Sequence, residues 1–293
     1  MNFEKLTTST NVILLGFHIH NHFKLPFFVL ILNLYSMTVV ANIMIIVLVS
    51  SSQFLHHPMF FFLSHLSLSD MILTTTIVPL MLTGIMKGQV ALSVAACIIQ
   101  FNFFCIALGS ESLLLAVMSF DRYLAICNPL QYMIIMDKKL RIHLVSLCWC
   151  SSVAIAVTLA LTISTLTFYT TALELEQKLL ATPSSVFPFL FSIVTYIYIF
   201  ITVLRIPTTS GKQKAYSTFS SHLTIVCIFF GSLIGLYLVP SPNRNPFSAH
   251  KVVSLHDTVV TPLFNPLIYT TRNADIKASL KKYLWVFKAA KNC

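Results

Sequence analysis

Apolar residues in this chain come in runs too long for the interior of a soluble domain. No Asp, Glu, Lys or Arg occurs between Lys24 and Asp70, between Arg141 and Glu174, between Lys178 and Arg205, or between Lys214 and Arg244. A bilayer core about 30 Å thick takes roughly 20 apolar residues per helical crossing, and backbone facing lipid must satisfy its own hydrogen bonds, so such runs predict spanning helices. Proline, glycine and charge punctuation divides them into seven: Pro26–Val49, Pro58–Met86, Ser93–Ile126, Leu140–Leu161, a fifth ending near Ile206, Ser217–Val239 and Val252–Thr271. Pro183 and Pro188 interrupt the fifth run, and Glu174 with Lys178 suits a first turn, which places its start between Leu173 and Val186. The expected fold is an all-α membrane protein, a seven-helix bundle over residues 26–271 between an N-terminal segment 1–25 and a tail 272–293.

Charge sets the orientation. Thirteen Lys and Arg fall on the side shared by the C-terminus and six (Lys5, Lys24, Lys87, Lys178, Arg244, Lys251) on the other. The positive-inside bias then puts the N-terminus outside. In the tail, Ile276, Leu280, Leu284 and Phe287 recur at helical spacing while Lys277, Lys281, Lys282 and Lys288 take other positions, the pattern of an amphipathic helix lying at the membrane interface. Composition agrees: 56% hydrophobic and 10% charged residues, with a mean hydropathy of +0.83. The net charge of +10 is a topology signal facing anionic lipid and calls for no nucleic-acid partner. No charged segment with a short apolar core and cleavage site opens the chain, so the first span is expected to direct insertion. Seven cysteines without CxxC spacing give neither a disulfide framework nor a zinc site.

Four blocks carry a resemblance. They are Leu55-His56-His57-Pro58-Met59-Phe60-Phe61-Phe62-Leu63 through Asp70, Met118-Ser119-Phe120-Asp121-Arg122-Tyr123-Leu124-Ala125-Ile126-Cys127, Lys214 to Leu223, and Pro262-Leu263-Phe264-Asn265-Pro266-Leu267-Ile268-Tyr269 with Arg272-Asn273. In this order they closely resemble the olfactory receptors within the rhodopsin-like G-protein-coupled receptors. The resemblance implies a plasma-membrane receptor that binds a small odorant and activates a stimulatory G protein to raise cyclic AMP.

The residues supply reasons of their own. Asp121 can hold the Arg122 guanidinium at a helix end while the receptor rests, and release of the arginine opens a docking point. The resemblance adds that the sixth helix swings outward on activation, and that Arg122 with Tyr196 and Tyr269 shapes the cavity for the G protein. Tyr123, Lys214, His222, Asn265 and Pro266 belong to the same signalling blocks. Asp70 and Glu111 lie deep in predicted spans, where an ionised group is expensive and paired. With no Lys or Arg at that depth they must share a proton or a cation, and with Asn42 and Asn265 they form a candidate sodium site. No other cofactor is expected. His56, His57 and His222 read as structural hydrogen-bonding residues rather than as a metal or pH switch.

On the third span Cys105, Leu108, Ser112, Leu115 and Arg122 fall near one stripe, so one face runs from a ligand pocket to the G-protein site. By resemblance Phe104, Cys105, Leu108, Gly109 and Ser112, with Ile234, Tyr237 and Thr258, line that pocket, whose apolar wall suits a small, weakly polar molecule. His256-Asp257 stands where the resemblance predicts aromatic residues, and a buried Asp257 needs a partner such as His256 or Lys251.

The chain departs from the pattern outside the bundle. Cys97 matches a cysteine that in similar receptors is bonded to the second outer loop, yet no cysteine occurs between Cys150 and Cys227. Cys97 is therefore expected to be unpaired, without a constraint typically worth about 2 to 4 kcal/mol. The N-terminal segment also has no Asn-x-Ser/Thr sequon. A degenerate or splice-shortened receptor that is retained or unresponsive is the first alternative. A transporter or channel is a remote one, for which repeat symmetry is missing. No catalytic motif marks an enzyme.

Overall fold

The computed structural model describes residues 11–15, 20–52, 57–165, 170–238, 255–273 and 276–282. The elements are β1 (Asn11–Leu15), α1 (Asn21–Ser51), α2 (Pro58–Lys87), β2 (Gln89–Ser93), α3 (Val94–Cys127), α4 (Pro129–Ile135), α5 (Lys138–Thr165), α6 (Thr170–Arg205), α7 (Thr209–Leu238), and a π-helical turn His256–Val260 running into α8 (Thr261–Arg272). Residues 276–282 are helical as well. Among the described residues, five helical stretches are long and apolar enough to cross a membrane: Asn21–Ser51, Pro58–Lys87, Val94–Cys127, Lys138–Thr162 and Ser185–Arg205, with a shorter apolar stretch at Phe219–Gly235. The bundle is inverted relative to a soluble protein. Asn42, Asp70 and Glu111 are wholly buried while Val40 and Phe187 are 66% and 70% exposed, an arrangement that is stable only with hydrocarbon outside.

Local signals explain the element ends. Pro58 opens α2, where its missing N–H costs nothing. Gly88, at φ 80°, ends α2 in a conformation that favours glycine and turns the chain into β2. Ser93 then caps α3, its hydroxyl accepting the Ala96 N–H at 3.2 Å. Likewise Asp137 accepts the Leu140 N–H at 2.7 Å at the start of α5. The helix α3 is the hub of the bundle and touches α2, α5, α6 and α7. Two close approaches fix it. The Ser69 hydroxyl of α2 donates to the Ala107 carbonyl at 2.8 Å. Gly109 lies against α5, where a Cβ would stand 3.1 Å from the Ser152 hydroxyl oxygen. Near the end of α1, Ser52 and Ser279 hydroxyls are 3.4 Å apart and Ile276 is buried, while Lys277, Lys281 and Lys282 are exposed.

The structure corrects the fifth span. It begins at Thr170, before the expected interval, and runs to Arg205 without a break at either proline. Inside a membrane bundle a proline removes one bond of a long ladder, and neighbouring groups re-satisfy the freed carbonyl. At about 1.5 Å per residue this 36-residue helix is about 54 Å long and projects beyond the hydrocarbon core. The sixth span likewise starts earlier, at Thr209 rather than Ser217. The antiparallel pairing of β1 with β2, from Asn11 opposite Ser93 to Leu15 opposite Gln89, was not expected in an all-α chain. Nor was α4. Leu55, His56, Lys251, Leu284, Phe287 and Lys288 lie outside the described residues, as do the side chains of Glu174, Lys178, Lys214, Tyr237 and Asp257.

Gly109→Val should overpack the α3–α5 contact, costing about 1–3 kcal/mol. The thermal midpoint of the purified protein in detergent should fall, and Ser152→Ala in the same chain should recover part of the loss. An unchanged midpoint would contradict the packing described.

Candidate functional site

Two polar centres sit along α3, and each gathers residues from several helices. The first joins α2, α3 and α8. The Asn265 side-chain amide donates to both Asp70 carboxylate oxygens at 3.0 Å and to Glu111 Oε1 at 3.3 Å. Proline placement puts it there. Pro266 has no N–H for the Pro262 carbonyl one turn earlier, and the Asn42 amide supplies that bond at 3.1 Å. Asn42 also donates to the Thr38 carbonyl at 3.0 Å. These contacts form one network: Asn42 holds α8 to α1 at the Pro262 carbonyl, and α8 carries Asn265 to the two carboxyl groups.

This centre has the donor set of a hard cation. Asp70 and Glu111 present carboxylate oxygens to one point, the Asn42 carbonyl oxygen is buried with no hydrogen-bond partner among the described residues, and so is the Ser112 hydroxyl beside Glu111. The expected quartet is therefore only partly in direct contact. Asp70, Glu111 and Asn265 meet, whereas Asn42 reaches them through the backbone of α8.

The second centre is at the far end of α3. Arg122 is 8% exposed and Asp121 wholly buried. One Asp121 oxygen accepts from Arg122 Nε at 3.1 Å and from a terminal guanidinium nitrogen at 2.5 Å. Its other oxygen accepts the Tyr132 hydroxyl at 2.8 Å. Burial, and then the Asp121 carboxylate beside it, push the Tyr132 phenol above its ordinary range, so Tyr132 stays a donor near neutral pH. Tyr269 and Tyr196 also lie within electrostatic reach of Arg122. Tyr196 of α6 and His222 of α7 are hydrogen-bonded to each other, and the Tyr269 hydroxyl is buried without a hydrogen-bond partner among the described residues. Tyr123 points elsewhere, packing its ring edge to face with Tyr198. Tyr132 was missed in the sequence. Its only signal was Pro129, which marks a helix start three residues ahead of it.

The expected ligand-lining residues are spread more widely. Phe104, Cys105 and Leu108 are half-buried on α3, Ser112 and Thr258 are buried, Gly109 faces Ser152, and Ile234 is 40% exposed on α7. Cys97 is half-buried and free.

Comparison with known proteins adds a second, independent line. Residues 41–269 match the 7 transmembrane receptor (rhodopsin family) model. The chain is 36% identical to human olfactory receptor 11L1 over 305 aligned positions, covering 96% of this chain and 94% of the relative. It is 37% identical to gorilla olfactory receptor 1G1, with 98% of each covered, and 35% identical to mouse olfactory receptor 1J1, with 97% of each covered. An arginine centre and a buried carboxylate centre joined by one helix, inside a chain that matches these receptors nearly end to end, place it: the protein is a membrane-embedded receptor rather than an enzyme, and it belongs to the olfactory receptors of the rhodopsin family.

Proposed function

We propose that the chain spans the plasma membrane seven times with its N-terminus outside, binds a small and mostly apolar odorant, and activates a stimulatory G protein that raises cyclic AMP. One observation carries the reading: Arg122 is held by Asp121, itself held by Tyr132, beside the Tyr196–His222 bond that ties α6 to α7. This is a latch at one end of α3. The region of Phe104, Cys105, Leu108, Ser112 and Thr258 is the proposed pocket, and Ser112 lies ten residues, about 15 Å, from Arg122 along the same rigid helix. An odorant that fits the released state better than the latched one shifts the balance between them. The basic helical segment 276–282, with Ile276 inward and its lysines outward, supports an interfacial position on the inner leaflet.

Two observations favour an impaired receptor as the second reading. Cys97 is free, and residues 166–169 alone connect α5 to α6. The alignment with human olfactory receptor 11L1 extends over more positions than this chain has residues, so the relative carries segments missing here. Cyclic-AMP accumulation in cells expressing an olfactory-type stimulatory G protein, screened with small volatiles, tests the first reading. Surface staining of the same cells separates a retained receptor from a silent one. Odorant-independent ion flux without G-protein coupling would sink both.

Asp121→Asn should raise odorant-independent cyclic AMP, because a charge-assisted hydrogen bond is exchanged for a neutral one. Tyr132→Phe should do so by a smaller factor. Loss of one hydrogen bond worth about 1 kcal/mol shifts a two-state balance about fivefold. Basal signal unchanged in both variants, at equal surface level, counts against the latch.

Sodium is the proposed occupant of the carboxylate centre, where its single charge would offset one of the two carboxylates of Asp70 and Glu111, the other keeping a proton, and favour the resting state. The thermal midpoint of purified receptor should be higher in sodium chloride than in choline chloride at equal ionic strength. Glu111→Gln should remove that difference. Equal midpoints for the unaltered protein would leave the shared proton as the account of the pair.

Because Cys97 makes no bond, Cys97→Ser should leave surface level and thermal midpoint unchanged. A marked loss in either would reveal a covalent partner.

A further inference from the structure

The α1 helix turns a polar side chain toward lipid. Its buried residues, Ile31, Thr38, Asn42, Ile45 and Leu48, face the rest of the bundle. On the other side Val29, Asn33, Ser36, Val40, Ile43 and Val47 are all exposed. Asn33 stands nine residues after Lys24, the last charge before Asp70. That is about 13.5 Å along the helix, well inside the apolar run. An amide there meets hydrocarbon, where an unmatched polar group is expensive. One Asn33 N–H donates to the Val29 carbonyl of its own helix at 2.8 Å. Among the described residues, its side-chain oxygen and its second N–H have no partner. Ser36 differs, since its hydroxyl donates to the Leu32 carbonyl at 2.8 Å.

Depth selects the class of partner. Headgroup and ester oxygens lie outside the hydrocarbon core, so at this level the groups able to bond an amide belong to another membrane helix. Spacing selects further. The six exposed residues follow one another at 4, 3, 4, 3 and 4 positions, the repeat with which two helices keep one seam in contact at a left-handed crossing, and a single Asn in such a seam fixes its register. A second copy of the helix carries its own Asn33 at the same depth. Across a two-fold axis normal to the membrane, each amide offers the N–H and the oxygen that the other lacks. We infer that α1 is a self-association surface of this receptor: two copies pair in parallel along the Val29–Val47 seam, joined by reciprocal hydrogen bonds between their Asn33 amides. The inference rests on α1 lying in the membrane and needs neither the odorant reading nor the orientation proposed above.

The test reconstitutes the full-length receptor, labelled in two colours, in phosphatidylcholine vesicles and follows energy transfer between copies as added lipid dilutes the protein. Transfer is expected to fall along a dimer dissociation curve. Asn33→Leu should raise the protein fraction at half-dissociation about tenfold, the factor for one to two hydrogen bonds within the membrane. Asn33→Gln keeps the amide and should stay close to the unaltered chain. Phe187→Leu, at a lipid-exposed residue of α6, should have no effect. Because Asn33 bonds only its own helix, the thermal midpoint of monomeric Asn33→Leu in detergent should not fall. Oxidative cross-linking in membranes of expressing cells maps the seam. With the exposed Cys150 and Cys227 changed to serine, Val40→Cys should give a cross-linked dimer, and Leu30→Cys, exposed on a different side of α1, should not. Equal dissociation of Asn33→Leu and the unaltered chain overturns the proposal, as does equal cross-linking at positions 30 and 40. Cross-linking of Val40→Cys only to other proteins, with no transfer between purified copies, gives the seam to a different membrane helix and refutes the second copy.

Discussion

The polar centre in the middle of the bundle is arranged around one side-chain amide. Asn265 divides its two N–H groups among Asp70 and Glu111, so α2, α3 and α8 meet at one wholly or almost wholly buried point. The contact depends on a defect. Because Pro266 cannot bond the Pro262 carbonyl, that carbonyl is left for Asn42, and α1 is drawn into the same network. Removing any one member would leave a buried polar group uncompensated, a larger loss than the net worth of the bond itself.

The Arg122 centre follows a different logic. Its Asp121 partner is adjacent in sequence, so the ion pair holds only α3 to itself, and its hydrogen bond to another helix comes from Tyr132 of α4, while the nearby Tyr196–His222 bond joins α6 to α7. Bonds between helices are the ones that a change of helix packing must break. The carboxylate centre thus joins α3 to α2 and α8 from the middle, and the arginine centre joins its end to α4.

Most of this was legible in the chain because hydrophobic runs and short motifs are local. The spans at Pro58 and Ser93 were placed to within a residue or two, since Pro58 and Ser93 are themselves the start signals. The carboxyl pair was found because charges inside apolar runs stand out. What escaped was non-local. Nothing in Asn11–Leu15 announces that it pairs with Gln89–Ser93, and prolines that end soluble helices do not end α6. Tyr132 carries no mark as a residue; it matters only because α4 folds back on Asp121. Gly109, read as a pocket residue by resemblance, is seen against Ser152, a contact that depends on how α3 and α5 cross.

The end of the bundle at Ser93 is held without a covalent link at Cys97, and the structure offers two weaker constraints in its place. The β1–β2 ladder ties the N-terminal segment to the α2–α3 connection, one backbone pair at a time. α5 ends at Thr165 and α6 begins at Thr170, so chain connectivity limits how far apart those two ends can lie. Neither ties α3 to α6, which a disulfide at Cys97 would do. Each hydrogen bond of the ladder contributes on the order of 1 kcal/mol net and reopens on its own, whereas a disulfide removes unfolded states permanently. The Ser93 end of α3 is accordingly positioned by packing from within the bundle, at Gly109 against Ser152 and Ser69 against Ala107. The position of this end of α3 is inherited from the middle of the bundle.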